Sequence, residues 1–434
     1  MIAQLEKQLE AKTREFEYAQ LKIQILEEHL RLRRIAKYGP GSEKLSNLQL
    51  QLLEEETGVS SEEVQAESQR ESQREKRACK NCEEQGVAMA PLPPRIIDKS
   101  LVSDEVIIDT VVSKYANHCP LYRQSVILLR DAGIDISRAT MCGWVMTVGE
   151  MLSPVVGAMR KELLVSGYIQ ADETPVDVQT HDKRGKNHQG YLWQYGTPGG
   201  GVVFDFRMNR GREGPKQFLG HFEGILQTDD YIAYERGLGG PKMVHACCWS
   251  HARRHFVDAI KLNKQDAGSL RAVELMDKLF SIDVQAREEK IDHAARHLLR
   301  QEKAPSVLNE IHGHILATRQ TVLPGSKAGQ ACKYTLTLWE KLTRFLDHPR
   351  LELSNSLAEN SMRLIGLGRK NWIHIGSPQA GQRVAAILSV IESCRRLKVP
   401  VRQYLGDILP GLDNKSIHAI AGLTPAAWAA QHAN

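Results

Sequence analysis

Hydrophobic positions along the first 56 residues follow a heptad pattern. From Ile2 to Leu30 they recur at alternating spacings of three and four, which puts them on one narrow stripe of a helix. No Gly or Pro interrupts this stripe before Gly39. The pattern predicts an N-terminal coiled coil that joins copies of the chain into a homo-oligomer; the alternative is one amphipathic helix packed on its own domain.

Residues 57–77 lose this pattern. They are mostly Ser, Glu, Gln and Arg, and the tetrapeptide ESQR occurs twice in succession. Such a segment cannot bury a core and predicts a polar linker. Cys79 and Cys82 follow as the chain's only C-x-x-C pair, which is half of the ligand set that a structural zinc site needs.

Helical spacing dominates residues 96–160. Three helices are predicted, over residues 102–116, 120–132 and 138–152. Gly133 ends the second helix, and Ser137 is an N-cap for the third. A helix, a short turn and a capped helix resemble a helix-turn-helix, with Arg138 as a candidate DNA contact, although any three-helix module has a similar pattern.

From Gly167 the hydrophobic period changes to two. Strands are predicted over residues 168–172, 191–195, 202–206, 224–229 and 243–247. The glycine-rich segment 196–201 predicts a hairpin between the second and third strands. A helix follows over residues 249–260, and residues 262–350 predict a long helical insertion. Strands followed by strand–helix alternation indicate a mixed α/β sheet.

Composition narrows the class of protein. The chain has 434 residues, of which 42% are hydrophobic and 25% charged, as in ordinary globular proteins. Its longest apolar run, residues 384–391, is far shorter than the ~20 residues that cross a bilayer. The eight scattered cysteines argue against a disulfide framework. Together these features predict a cytoplasmic protein without a membrane partner.

Three acidic residues stand in positions that suit chemistry. Asp172 and Asp229 each follow a predicted strand, where α/β sheets bind ligands, although a turn or helix-capping role is the more usual one for either acid alone. Glu359 lies on the polar face of a predicted helix, with Asn355 and Arg363 one turn away on that face. Three carboxylates suit phosphoryl transfer with two Mg²⁺ ions ~3.5–4 Å apart.

Positive charge is concentrated just after Glu359. The chain carries a formal net charge of +5, but residues 360–402 contain eight basic residues and one acidic residue. A charge run is usually a solvated face, yet this one is interleaved with Trp372 and His374 beside a candidate catalytic acid. It therefore predicts a polyphosphate partner, with candidate contacts Arg363, Arg369 and Lys370.

Several segments together resemble the transposases of the insertion-sequence 66 family. These are ADETPV at 171–176, LQTDDY at 226–231, CWSHARR at 248–254, LAENSMR at 357–363, GRKNW at 368–372 and GS at 376–377, together with YANHCPLYRQ at 115–124, SRAT at 137–140 and residues 33–56. The resemblance covers nearly the whole chain except residues 57–77.

The resemblance implies a ribonuclease H-like α/β core with a mixed sheet and a long α-helical insertion, preceded by the coiled coil and the helix-turn-helix-like module. It implies a DDE-type transposase whose triad maps onto Asp172, Asp229 and Glu359, with two Mg²⁺ or Mn²⁺ ions. The implied reaction cuts the element's terminal inverted repeats and joins them to target DNA. Glu173 and Asp230 are rival ligands; Glu173 is expected to face the other side of its strand.

Cys248 and His251 match a C-x-x-H signature that several transposase groups carry after the second Asp. Arg253 and Arg254 follow it as candidate contacts to DNA phosphate. The cysteines 247 and 248 with His251 and His255 form an alternative, a zinc site, because the two histidines stand one helical turn apart.

One departure from the family concerns the zinc module. Members usually carry a fuller cysteine set before the helical region, so Cys79 and Cys82 are interpreted as its remnant, with zinc binding doubtful. An alternative function follows: a catalytically inactive, transposase-derived DNA-binding protein or repressor. A structural coiled-coil scaffold explains none of the acids. Accessory transposition proteins are further candidate partners.

The predicted organisation has eight parts. They are the coiled coil (1–56), the linker (57–77), the zinc-module remnant and connector (78–95), the DNA-binding helices (96–160), the first part of the core (161–261), the insertion (262–350), the second part of the core with the basic patch (351–405) and a C-terminal tail (406–434).

Overall fold

The computed structural model describes residues 93–180, 186–234, 237–372 and 374–432 of the chain. The predicted coiled coil, the linker and the pair Cys79 and Cys82 lie outside the described residues. No structural statement below concerns them.

Helices and strands alternate in the order that the hydrophobic pattern indicates. The helices are α1 (Asp104–Tyr115), α2 (Leu121–Ala132), α3 (Arg138–Val165), α4 (Glu213–Leu219), α5 (Trp249–Leu262), α6 (Ala267–Glu288), α7 (His293–Thr321), α8 (Lys327–Thr337), α9 (Trp339–Thr343), α10 (Ser356–Trp372), α11 (Pro378–Leu397), α12 (Val401–Ile408), α13 (Ile417–Ile420) and α14 (Pro425–Gln431). The strands are β1 (Tyr168–Val178), β2 (His188–Gly196), β3 (Val202–Arg207), β4 (Ile225–Thr228), β5 (Val244–Cys247) and β6 (His374–Ile375).

The three predicted N-terminal helices are confirmed, with one difference in length. Gly133, at φ 66°, ends α2, and the Ser137 side chain caps α3 by accepting from Thr140 N at 3.0 Å. The third helix was predicted to end at residue 152, but α3 continues through Pro154 to Val165. Residues are buried along its whole length, and it packs against α11, so tertiary packing outweighs the cost of an internal proline.

Among the described helices, α3 alone is long and apolar enough to span a bilayer by length and composition. Half of its most apolar window is buried inside the protein.

One mixed sheet forms the centre of the molecule, as predicted. Its strand order is β3-β2-β1-β4-β5, and β6 pairs with the end of β1. The strands β1, β2 and β3 are antiparallel neighbours, whereas β4, β5 and β6 run parallel to their partners. The two-residue strand β6 was not predicted, because it is too short to show a period.

The first strand is longer than the sequence indicates. It was predicted to end at Asp172, but it continues to Val178 because residues 172–178 pair with β2. Asp172 therefore lies inside a strand, and the prediction that it follows a strand end was wrong. Asp229 does directly follow β4, as predicted.

The strand β3 forms one edge of the sheet, and helix α11 covers this edge. Ser389 and Ser393 on that helix accept hydrogen bonds from the edge amides of Phe204 (2.8 Å) and Val202 (2.9 Å). Gly381 permits the close approach, because a Cβ there would collide with the Phe206 ring. These contacts satisfy donors that an uncovered edge strand would present to other chains.

The predicted insertion is helical throughout. Helices α6, α7, α8 and α9 share one buried apolar cluster with α5 and with β4 and β5. The insertion therefore packs on the β5 side of the sheet, and the chain returns from it to α10 through residues 349–355, hereafter the connector.

Candidate active site

Asp172 and Asp229 stand level with each other on neighbouring strands. In the parallel pair β1–β4, Gln170 is in register with Gln227, so Asp172 and Asp229 each lie two residues further on. Because alternate side chains share a face, both carboxylates are placed on the face of the two glutamines, whose amides hydrogen bond at 2.9 Å.

Glu359 reaches the site from the first turn of α10. Its carboxylate accepts from Arg254 Nη2 at 3.0 Å, and His251 Nε2 lies 3.4 Å from its other oxygen. Both partners are on α5. Burial lowers the pKa of His251, an effect that the Glu359 charge opposes. Glu359 is thus held by His251 of the C-x-x-H segment and by Arg254, one turn further along α5.

The three acids share one electrostatic environment. Burial, together with the negative charges of Glu173, Asp229 and Glu359, raises the pKa of Asp172 to about 7; the Glu173 amide, which donates to Asp172 Oδ1 at 2.9 Å, opposes this shift. Carboxylates that repel one another in this way are those that a divalent cation stabilises.

The acids are not yet arranged as a metal site. Over residues 93–432, leaving out the gaps named above, no three His, Cys, Asp or Glu side chains are grouped so as to hold an ion. The carboxylate of Glu359 is instead paired with Arg254 and His251 on α5.

The rival Glu173 has partners of its own. Its buried carboxylate pairs with Arg210 at 2.5 Å and accepts from Tyr234 OH at 3.0 Å. Arg210 in turn stacks on the Tyr231 ring, 3.7 Å from its centroid. Asp230, the other rival, is exposed, and its charge acts on Cys247.

The alternative zinc residues do not converge. Cys248 caps the start of α5, and its thiol accepts from Asn355 N at 3.4 Å; burial raises its pKa to about 11. His255 packs against the Tyr334 ring at 4.2 Å, whereas His251 faces Glu359. Cys248 therefore joins α5 to the connector in this structure.

Asn355 differs from its predicted position on an exposed helix face. It is fully buried just before α10, where its carbonyl accepts from Ala358 N (2.8 Å) and Glu359 N (3.2 Å). Neither atom of its side-chain amide has a hydrogen-bond partner among the described residues. The sequence pattern extended the helix one residue too far, because capping and first-turn positions share its spacing.

The candidate DNA contacts divide into two groups. Arg253 pairs with Asp277 at 2.6 Å, and Arg369 donates to the carbonyl of Pro175. Exposed side chains are found at Arg138, Arg363 and Lys370.

Most basic residues that follow α10 form ion pairs or hydrogen bonds with other residues of the chain. Arg383 pairs with Glu150 (2.8 Å), Arg395 with Glu392 (2.5 Å) and Arg402 with Asp109 (2.6 Å). The exposed positive charge nearest to Glu359 is therefore Arg254 on α5, and Arg363 and Lys370 on α10 are exposed as well.

Sequence reasoning missed the polar residues under the acids. Tyr168 OH donates to Gln227 Oε1 at 2.6 Å, and Gln170 Nε2 donates to the same oxygen. A signal was present: Gln precedes Asp by two residues in both strands, at Gln170–Asp172 and Gln227–Asp229.

Comparisons with known proteins identify relatives over most of the chain. Residues 99–383 match the family model described as Transposase IS66 family. The chain is 28% identical to the uncharacterized protein y4hP of Sinorhizobium fredii (strain NBRC 101917 / NGR234), over 82% of this chain and 67% of that protein. It is 30% identical to the uncharacterized protein y4jD of the same strain, over 81% of this chain and 71% of that protein.

Proposed function

The chain belongs to the IS66 family of transposases, and from that premise we propose that it is a DDE-type enzyme that cleaves the ends of an insertion sequence and joins them to target DNA. The observation that carries the proposal is the parallel register of β1 and β4, which sets Asp172 level with Asp229; the charge of Glu359, from a distant part of the sequence, also acts on Asp172.

The sheet supports a ribonuclease H-like core for this enzyme. Three antiparallel strands are followed by two parallel ones, and Asp172 lies in the central strand β1. Asp229 follows the carboxyl end of the adjacent parallel strand, where α/β sheets bind ligands, and Asp172 stands level with it inside β1. In the sequence, the helical insertion lies between β5 and α10, and α10 supplies the third acid.

The donor set fits Mg²⁺ or Mn²⁺ better than zinc. All three candidate ligands are carboxylates, the hard oxygen donors that these cations prefer. Two bound ions would activate the attacking water or 3′-hydroxyl and stabilise the departing oxygen. Asp172 and Asp229 would hold ions from the sheet, and Glu359 would complete the set from α10.

Arg254 has two roles in this proposal. Before ions bind, it neutralises Glu359; once Glu359 turns to the ions, the guanidinium is free to bind a DNA phosphate beside the site. Exposed Arg363 and Lys370 on α10 would extend this phosphate contact along the strand. Terminal-repeat and target DNA are thus the proposed partners, in a cytoplasmic homo-oligomer.

The test is a cleavage assay on DNA that carries both ends of the element, with the purified full chain and Mg²⁺. We expect nicks at the element's ends that vanish with EDTA and in the Asp229→Asn variant, while DNA binding persists. The control is Asp177→Asn, an exposed acid on the same sheet. Binding of the ends without cleavage by the wild-type protein would instead identify a DNA-binding repressor.

A further inference from the structure

The connector, residues 349–355, is held on one side by two buried arginines of the insertion. Arg296 binds Glu352 Oε1 at 2.7 Å and the carbonyl of Pro349 at 2.8 Å. Arg300 donates to the carbonyl of Leu351 at 2.8 Å. Both arginines are on α7, within the insertion, and both are almost fully buried.

Arg300 also forms a buried ion pair. Asp283 on α6 receives two of its hydrogen bonds, at 2.8 and 2.5 Å, and the side chains are only 1% and 2% exposed. A buried ion pair contributes little net stability compared with apolar residues of similar size. Its presence here, with one donor aimed at the Leu351 carbonyl, points to a positioning role rather than to a gain in stability.

The sheet holds the connector from the other side. Tyr168 OH accepts from Glu352 N at 3.1 Å, and Gln227 Nε2 donates to the Glu352 carbonyl at 2.7 Å. Gln170 Nε2 donates to the Ser354 carbonyl at 3.0 Å. Gln170 and Gln227 precede Asp172 and Asp229 by two residues, and Tyr168 is hydrogen bonded to Gln227.

The start of α5 provides a third set of contacts. Trp249 N donates to the Leu353 carbonyl at 2.9 Å, and the Cys248 thiol accepts from Asn355 N. The backbone on both sides of Ser354 is thus fixed immediately before α10. Glu359 follows within the first turn of that helix, so the connector sets where its carboxylate can reach.

We propose that Arg296 and Arg300 are positioning residues, through which the helical insertion holds the connector and so fixes the start of α10, the helix that carries Glu359. This inference rests on the proposed function for its catalytic consequence, but not for the physical coupling itself. It assigns the insertion a role in assembling the catalytic centre, in addition to any contact with DNA.

The test removes the hydrogen bond between Arg300 and the Leu351 carbonyl without leaving a buried charge unpaired. In Asp283→Leu/Arg300→Met both ionic partners become apolar, so the core stays filled while the bond to Leu351 is lost. The matched control is Lys278→Gln/Glu310→Gln, which removes an exposed ion pair of the same insertion. Hydrogen exchange is measured on the full chain, together with cleavage against Mg²⁺ concentration.

We expect the amides of residues 356–362 to exchange about 10-fold faster in the double variant, with α11 and the control unchanged. The Mg²⁺ midpoint for cleavage should rise at least ~10-fold, as when a partner that orients a metal ligand is removed. Unchanged exchange at residues 356–362 would overturn the proposal, whatever the activity. Faster exchange in a chain whose wild type does not cleave DNA would support the coupling and refute the proposed function.

A second variant covers the case in which the double variant does not fold. Arg296→Gln removes the bonds from the insertion to Glu352 and to the Pro349 carbonyl and should also speed exchange at residues 356–362. Exchange that stays at the wild-type rate in Arg296→Gln would overturn the proposal in that case.

Discussion

The sheet and helix α10 supply the candidate acids in different ways. Asp172 and Asp229 are placed by adjacent parallel strands whose register puts them side by side. Glu359 comes from a helix that follows the whole insertion, and its carboxylate is bound by Arg254 and His251. The comparison indicates that two of the candidate ligands are placed by the sheet itself, whereas the position of the third depends on the insertion and α5.

The same contrast appears in the charges. Asp172 is largely withdrawn from solvent, and burial together with the neighbouring acids raises its pKa to about 7. Glu359 has a cationic partner already, and its side chain is 30% exposed. Substitutions of the sheet acids and of Glu359 should therefore change different properties of the protein, and by different amounts.

The largest expected effect is on catalysis. Asp172→Asn and Asp229→Asn should each lower Mg²⁺-dependent end cleavage by at least ~1,000-fold, and Glu359→Gln should do the same, because the residues act as a unit. Divalent-ion binding should distinguish them: the sheet variants lose it, whereas Glu359→Gln keeps a weakened site. Calorimetric titration with Mn²⁺ measures this difference, and equal losses in all three would remove the distinction between sheet and helix.

The next effect is on stability and its dependence on pH. Because the folded pKa of Asp172 is about 7, well above its ordinary 3.8, the folded chain keeps a proton that the unfolded chain loses. This stabilisation is complete below pH ~4 and is lost as pH rises through 7. Without metal, the free energy of unfolding should fall by about 2 kcal/mol between pH 5 and 8.

Asp172→Asn should remove that part of the slope, whereas Glu359→Gln should keep it. Urea unfolding in EDTA at pH 5, 6, 7 and 8 compares the three proteins. A slope in Asp172→Asn equal to that of the wild type would show that other groups produce it.

The smallest expected effect concerns the hold of α5 on Glu359. The pair with Arg254 is half exposed, so it should contribute no more than about 1 kcal/mol. Arg254→Gln should tighten Mn²⁺ binding up to ~5-fold and weaken DNA binding. Arg253→Gln, which breaks the neighbouring pair with Asp277, is the matched control and should leave Mn²⁺ affinity unchanged. Weaker Mn²⁺ binding in Arg254→Gln would mean that this arginine supports the site.

Much of the sheet region could be predicted from sequence. Alternation marked five of its six strands, and Asp229 was correctly placed after β4. The extent of β1 beyond Asp172 could not be predicted, because residues 172–178 are a strand only through pairing with β2. Their own polar and proline residues give no strand signal.

The surroundings of Glu359 were less predictable. Its helix was found from the spacing of apolar residues, but the buried position of Asn355 and the pair with Arg254 depend on contacts across more than 100 positions in the chain. The basic run was also misleading as a single surface, since Arg383, Arg395 and Arg402 find acidic partners only after folding. Charge counts do not record such pairing.

The central claim is that Glu359 leaves α5 to join the two sheet acids around divalent ions. The most direct measurement is an anomalous-scattering map of crystals of the full chain grown with Mn²⁺. The account predicts manganese peaks within ~2.2 Å of carboxylate oxygens of Asp172, Asp229 and Glu359, with Arg254 released. Peaks bound elsewhere, or a Glu359 still paired with Arg254 beside an occupied sheet site, would contradict it.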